Sequence, residues 1–408
     1  MTYAECVRIL YSLGNEVQSA RLGLERIQRL LQELGDPHRA GRFIHVAGTN
    51  GKGSTSAMIE AGLRAAGQRT GLYTSPHLSE PTERIQILGK PVVPERFAQA
   101  FQAIHKASER LLSAGEINMH PTYFECITAM AFLLFHDAGL DYVVLEVGMG
   151  GRLDATNVVT PVLCVITPID LDHQQYLGDT LQKIAAEKAG IFKPGVPAVI
   201  APQQPAAWDV VASFFQGRVT AADQFPMDRL EINARGSRFR VAGMEILCPL
   251  AGQHQVENAR VAALALKQLG FGPEGIAQTV WPGRLERVSE SPEIILDGAH
   301  NPAGTRALVE YIARFYADRK IWLIFGALRD KPVEEMARLL FPLADRVILT
   351  VPANSRAMPP EAIGVPNATL THNAAEALAL IRTAPPETVV FITGSLFLVG
   401  EARALLVQ

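Results

Sequence analysis

The chain is poor in the features that mark several whole classes of protein. Its 408 residues hold 4 cysteines, Cys6, Cys126, Cys164 and Cys248, far apart and without C-x-x-C spacing, so neither a zinc ribbon nor a disulfide framework is encoded. A reducing cytoplasm is the expected compartment. No charge sign dominates: 38 Lys and Arg against 41 Asp and Glu leave a formal net charge of -3. That excludes the broad basic field that would hold nucleic acid or an anionic membrane, so an anionic ligand must be met by a local site. No stretch reaches about 18 uninterrupted apolar residues, and the N-terminus lacks the basic start and apolar run of a signal peptide. Internal repeats, low-complexity segments and Ser-His-Asp or Cys-His signatures are also missing.

What is present is a core-forming composition, 48% hydrophobic and 19% charged, at a length that suits two domains. Short β-branched runs at 43–47, 142–147, 162–167 and 196–200 alternate with helical stretches, for example 56–66 and 180–190. This alternation predicts βαβ units and a mostly parallel sheet covered on both faces. After about residue 219 the texture changes to strand-like pieces at 230–232 and 238–241, expected as an antiparallel hairpin appended to that sheet. A helix over 256–269 follows, then Trp281-Pro282-Gly283-Arg284, which punctuates the chain as a linker. Strand and helix alternation restarts at 294–297, 321–325, 347–350 and 389–393, predicting a second, smaller α/β domain.

Between the strand 43–47 and its helix lies Gly48-Thr49-Asn50-Gly51-Lys52-Gly53-Ser54. Backbone N–H groups at a strand-to-helix turn cradle phosphates, with Lys52 reaching the terminal ones and Ser54 facing magnesium. The standard G-x-x-x-x-G-K-[ST] pattern is not met, because Val46 holds the first glycine position and Gly53 separates Lys52 from Ser54. A glycine turn with a solvated lysine is the plain alternative. Glu146 ends the strand 142–147 where ligands of open α/β sheets gather, and its hard oxygens suit magnesium; capping of the following glycine-rich loop would also explain it. His173, in Asp170-Leu171-Asp172-His173, is by chemistry alone more often structural than a magnesium ligand. Lys188, in Glu187-Lys188-Ala189-Gly190, is by default a solvated cation, although an apolar pocket would free its amine of a proton.

Taken in order, residues 47–54, 73–78, 82–85, 122–125, 145–157, 171–173, 187–191 and 297–302 resemble the folylpolyglutamate synthase and dihydrofolate synthase family of the Mur ligase superfamily, in its bacterial bifunctional form. The likeness runs from 22–26 to 394–395, and Glu146-Val-Gly-Met-Gly-Gly-Arg-Leu-Asp-Ala-Thr-Asn157 is its most specific part. The resemblance implies a P-loop-type, mostly parallel N-terminal ATPase domain over 1–283 carrying the pterin site. A linker over 284–293 and a smaller Rossmann-like glutamate-ligase domain over 294–408 would follow.

It implies ATP contacts from Asn50, Gly51, Lys52, Gly53 and Ser54, and later from Asn258, Arg284, Asp297 and His300. Magnesium ligands would be Ser54, Ser75, Glu146 and His173, with Lys188 carboxylated on its amine and a second metal ion beside it. Thr122, Tyr123, Phe124, Glu125, Leu153, Asp154 and Ala155 match pterin-binding elements, and the turn 19–22 matches more loosely. Lys52, Glu146, His173 and Lys188 are the expected catalytic set of a cytoplasmic, monomeric ligase. It would join L-glutamate to dihydropteroate or a reduced folate through an acyl phosphate. A Mur-type amino-acid ligase of cell-wall synthesis is the alternative within the enzyme class. A nucleotide-binding switch is the alternative outside it, though it would not need Asp297 and His300.

Overall fold

The computed structural model describes residues 1–14 and 23–407, so the turn 19–22 and Leu22, where the resemblance begins, lie outside the described residues. The chain divides into two units. The first takes Met1–Asp228, Arg240–Ile246 and Glu257–Gln278; the second takes Arg229–Phe239, Leu247–Val256 and Thr279–Gln408.

The first unit is organised by an eight-stranded sheet. Its strands in chain order are β1 (Phe43–Ala47), β2 (Thr70–Tyr73), β3 (Ile85–Ile87), β4 (Lys90–Pro91), β5 (Tyr142–Glu146), β6 (Leu163–Ile166), β7 (Ala198–Ile200) and β8 (Val219–Ala221). Their order across the sheet is β4-β3-β2-β5-β1-β6-β7-β8. From β2 to β8 all neighbours are parallel, while β3 and β4 add an antiparallel edge. Strands β1, β5 and β6 are buried along their whole length, as expected of apolar runs in a sheet covered on both faces. The helices Tyr3–Ser12, Glu25–Glu33, Pro94–Ser113 and Tyr123–Ala138 pack one core. The helices Leu181–Ala189 and Pro205–Phe214 pack another.

Register brings the functional loops together. Val46 of β1 pairs with Glu146 of β5, Tyr73 of β2 with Leu145, and Ala47 with Ile166 of β6. The four loops that leave these strands therefore emerge side by side at one sheet edge, the usual place for ligands in open α/β sheets.

The strand pieces after residue 219 correct one expectation. Strands β9 (Met227–Asn233), β10 (Gly236–Val241) and β11 (Met244–Cys248) form a separate three-stranded sheet and do not join the parallel one. The second unit contains β12 (Glu286–Glu290), β13 (Glu293–Leu296), β14 (Ile321–Phe325), β15 (Arg346–Leu349), β16 (Thr369–Leu370) and β17 (Val389–Thr393), in the order β12-β13-β17-β14-β15-β16. All neighbours are parallel except the β12 and β13 pair. The stretch 284–293, expected as a linker, is thus not an open connection: Glu286–Glu290 is the antiparallel edge strand. With Glu286, Arg287 and Glu290 among its five residues, β12 lacks the apolar run that marks the buried strands.

Glycine sets the closest packing near the sheet edge. The loop after β5 lies on the helix Leu181–Ala189, where a Cβ on Gly151 would stand 2.8 Å from the Glu187 carbonyl oxygen and 2.9 Å from that of Lys188. Arg152 N–H donates to the Glu187 carbonyl at 2.8 Å, and its guanidinium pairs with the Glu187 carboxylate at 2.8 Å. Gly151→Ala must push loop and helix apart. A loss of about 1–3 kcal/mol, the usual cost of overpacking, is expected in equilibrium denaturation, and an unchanged midpoint would show that the contact yields freely.

Candidate active site

The loop after β1 is fixed at both ends before any ligand arrives. Thr49 and Asn50 N–H donate to the Pro168 carbonyl at 2.9 and 3.3 Å, and the Thr49 hydroxyl bridges to the Asp170 backbone at 2.9 and 3.0 Å. Gly51 then turns the chain with φ 84 and caps the helix Lys52–Ala65. Its missing side chain leaves room for Asn258, since a Cβ there would lie 2.3 Å from Asn258 Oδ1. Lys52 is therefore the first helical residue, and the first-turn N–H groups, which lack intrahelical acceptors, face out with the positive end of the helix dipole. Lys52 Nζ donates to the Thr49 carbonyl at 3.2 Å, so the ammonium curls back over the loop. Ser54 is buried in the first turn, and Asn50 and Gly53 are half-buried.

Beneath this loop lies Lys188. It comes from the last turn of the helix Leu181–Ala189, is buried, and donates from Nζ to the Gly48 carbonyl at 2.7 Å. Burial, followed by repulsion from Lys52, pulls its amine down from the ordinary lysine value to about 7, against the smaller pull of Asp172 and Asp154. A substantial fraction of Lys188 is thus neutral near physiological pH. A neutral amine next to a phosphate loop meets the chemical requirement for carbamate formation.

The oxygen donors expected for magnesium come from neighbouring strand ends. Glu146 is buried at the end of β5, and its Oε2 accepts the Ser75 N–H at 3.1 Å. His173 stands with φ 51 just before the short helix Gln174–Leu177 and is half-buried, with its N–H bonded to the Asp172 carboxylate at 2.8 Å. A carboxylate and two serine hydroxyls fit a hard divalent cation, and the imidazole is the atypical member of the set.

The residues expected at the pterin have firm local roles. Thr122 and Glu125 form the capping box of the helix Tyr123–Ala138, with Thr122 N–H to Glu125 Oε2 at 2.7 Å and Glu125 N–H to Thr122 Oγ1 at 3.2 Å. Glu125 also pairs with Arg26 at 2.7 Å. Tyr123 is buried and stacks on Tyr11 at 5.7 Å, with the Arg84 guanidinium 5.3 Å from its ring centroid. Arg84 donates to His77 Nδ1 at 2.8 Å, and burial followed by that guanidinium pushes the His77 imidazole down to about 3, so it stays neutral. Phe124 is half-buried and lies tilted against Tyr73 at 6.1 Å.

Asp154 is buried and accepts Met149 N–H at 2.9 Å and Thr156 N–H at 3.0 Å. Thr156 Oγ1 lies 2.8 Å from Nε2 of the fully buried His45 on β1. Leu153 is half-buried beside it, and Ala155 is buried at the start of the turn Ala155–Val158.

The second unit gathers its own expected residues. Asp297 follows β13, is buried, and accepts Leu285 N–H at 3.1 Å and Ala299 N–H at 3.0 Å, while burial raises its carboxyl above the usual range. Arg284 lies across Gly298, where a Cβ would come 2.1 Å from its Nη1. His300 Nδ1 is 2.8 Å from the Gly298 carbonyl. Thr49, His77 and Arg84 lie inside the matched motifs 47–54, 73–78 and 82–85 but were given no individual role, and sequence reasoning missed His45 and Tyr11 as members of these clusters. Tyr11 carried no signal, because its partner is 112 positions away in the chain.

Two family models match the chain, the Mur ligase middle domain over residues 46–266 and the Mur ligase glutamate ligase domain over residues 283–396. The folylpolyglutamate synthase of Lacticaseibacillus casei is 35% identical, covering 100% of this chain and 99% of its own. Among solved structures, the Mycobacterium tuberculosis folylpolyglutamate synthase complexed with ADP and AMPPCP superposes with a TM-score of 0.90 at 34% identity over 99% of both chains. Escherichia coli FolC in complex with DHPP and ADP gives 0.87 at 30% identity over 99% of this chain and 97% of that one. The chain belongs to the folylpolyglutamate synthase and dihydrofolate synthase family of ATP-dependent ligases, within the Mur ligase fold.

Proposed function

We propose that this protein joins L-glutamate to the carboxylate of dihydropteroate or of a reduced folate at the expense of ATP. The observation that carries the proposal is the buried, readily neutral Lys188 amine under the Gly48 carbonyl of a phosphate loop that leaves β1 beside Glu146 at the end of β5 and ends where Lys52 opens its helix.

A free carboxylate is a poor electrophile because oxide is a poor leaving group. Transfer of the γ-phosphoryl group of ATP to a carboxylate oxygen releases ADP and leaves an acyl phosphate. The amine of glutamate then attacks the acyl carbon, the bond to the phosphate oxygen breaks, and inorganic phosphate leaves as the amine proton passes to solvent. Lys52 and the helix N-terminus behind it stabilise the charge on the transferring group, the dominant contribution in such reactions. Ser54, Ser75, Glu146 and His173 would hold magnesium, which supplies charge neutralisation at the nucleotide phosphates.

Addition of carbon dioxide to the neutral Lys188 amine, with loss of one proton, converts an uncharged amine into an anionic carbamate at the loop. A second divalent ion is a suitable counter-charge there. Thr122, Tyr123, Phe124, Glu125, Leu153, Asp154 and Ala155 shape the acceptor side. In this scheme residues 1–283 carry nucleotide and acceptor, with Asn50, Gly51, Gly53 and Asn258 on the nucleotide. Residues 294–408 carry the glutamate-ligase part, and Arg284, Asp297 and His300 are the later nucleotide contacts that the resemblance implies.

Release of ADP and phosphate by the purified protein should require both L-glutamate and a pterin carboxylate; turnover that ignores either one would overturn the assignment. Lys52→Ala and Glu146→Gln are each expected to lower kcat by about 10²–10³-fold, the loss typical of a group that stabilises transition-state charge, with unchanged circular dichroism. Near wild-type turnover in either variant would remove that residue from the chemistry.

The lowered Lys188 value sets a pH direction. The neutral fraction grows as pH rises through about 7, so carbamate formation should increase across that point and fade below it. ¹³C NMR of protein in labelled bicarbonate should show a carbamate signal that follows this profile and is missing in Lys188→Arg. A signal that persists in the variant would place the carbamate elsewhere.

A further inference from the structure

Among the described residues, one group of three metal-capable side chains includes none of the residues discussed above. His105, Glu109 and His120 bring one ligand atom each to within 4.8 Å of one another. His105 and Glu109 are one turn apart on the helix Pro94–Ser113 and therefore share a face. His120 arrives from the connection that leads into Thr122, the cap of the helix Tyr123–Ala138. Its Nε2 is 2.7 Å from Glu109 Oε1, and its ring stacks on that of His105 with centroids 5.7 Å apart. His105 stacks in turn on Phe101 at 5.8 Å, which holds its plane. His120 Nδ1 is buried without a hydrogen-bond partner, so the ring offers Nε2. Glu109 is exposed and leaves the group open to solvent.

We propose that His105, Glu109 and His120 form a surface site for a first-row transition-metal ion, Zn²⁺ in the first instance. Two imidazole nitrogens with one carboxylate suit zinc, cobalt, nickel or copper, whereas magnesium and calcium prefer all-oxygen sets. Metal bonds of about 2.0–2.2 Å require the Nε2 and Oε1 atoms, now sharing a proton, to separate by less than about 1 Å. Three protein ligands and an open fourth position complete a tetrahedron, with water as the remaining ligand. The bound ion would tie the end of one helix to the residues just ahead of the Thr122 cap, closing the connection between them.

The test uses untagged full-length protein, stripped of metal and free of nucleotide, titrated with ZnCl₂ by calorimetry and with Co²⁺ by visible absorption. Wild type should bind one equivalent with a tetrahedral cobalt spectrum and melt higher with zinc present. His105→Ala, His120→Ala and Glu109→Gln should each weaken binding by at least about 100-fold, since even outer-shell partners are worth about 10–100-fold. His173→Ala should bind as wild type does, which separates this site from the proposed magnesium ligands. Should His120→Ala fail to fold, His105→Gln within the intact helix supplies the same comparison. The proposal is overturned if wild type takes up no stoichiometric zinc, or if uptake survives the His105 and Glu109 substitutions.

Discussion

A lysine taken out of water must find a counter-charge, give up its proton, or be held by strong acceptors. Lys188 is buried with its amine 2.7 Å from the Gly48 carbonyl, and much of the surrounding sequence serves to keep it there. Gly151 lets the loop after β5 lie directly on the Glu187 and Lys188 backbone. Asn157 donates to the Arg152 and Gly190 carbonyls at 2.9 and 3.1 Å and clamps the same loop from the other side. The distinctive run from Glu146 to Asn157 is therefore mostly packing chemistry that positions one helix under one loop. In the proposed scheme Glu146, delivered by β5 beside β1, is its member assigned to magnesium.

Several expected substrate residues already have a structural duty. Thr122 and Glu125 satisfy the orphan N–H groups at a helix start, as a capping box does wherever it occurs, and Asp154 caps the turn that follows it. Such residues are rigid because their own hydrogen bonds are already made. That rigidity suits a binding wall whose polar atoms must not relax when a ligand arrives. The same bonds mean that substituting any of them would disturb local structure, whatever the effect on a ligand. The second unit shows the related pattern at Asp297, which orders the backbone at Leu285, next to Arg284, and at Ala299, next to His300.

Legibility in the sequence followed physical locality. Buried parallel strands such as Phe43–Ala47 and Val389–Thr393 announce themselves because both faces need apolar side chains. Strand β12 does not, since as a half-buried edge it tolerates Glu286, Arg287 and Glu290. It lies where a linker was expected. The pieces that became β9 and β10 were recognisable as a hairpin and β11 was not, and whether they extend the large sheet depends on edge pairing that no local pattern encodes. Tyr11 on Tyr123, and Thr49 on Asp170, join segments far apart in the chain.

The sequence by itself determined the α/β class, the phosphate loop between β1 and its helix, and the family, because these rest on short-range periodicity and on motifs with fixed internal spacing. Tertiary structure alone decided the environment of Lys188. Its lowered proton affinity comes from desolvation and from Lys52, groups that the chain brings together only when parallel strands and close-packed glycines set the distance. The same holds for His105, Glu109 and His120, whose proximity depends on a connection folding back onto the helix it has just left.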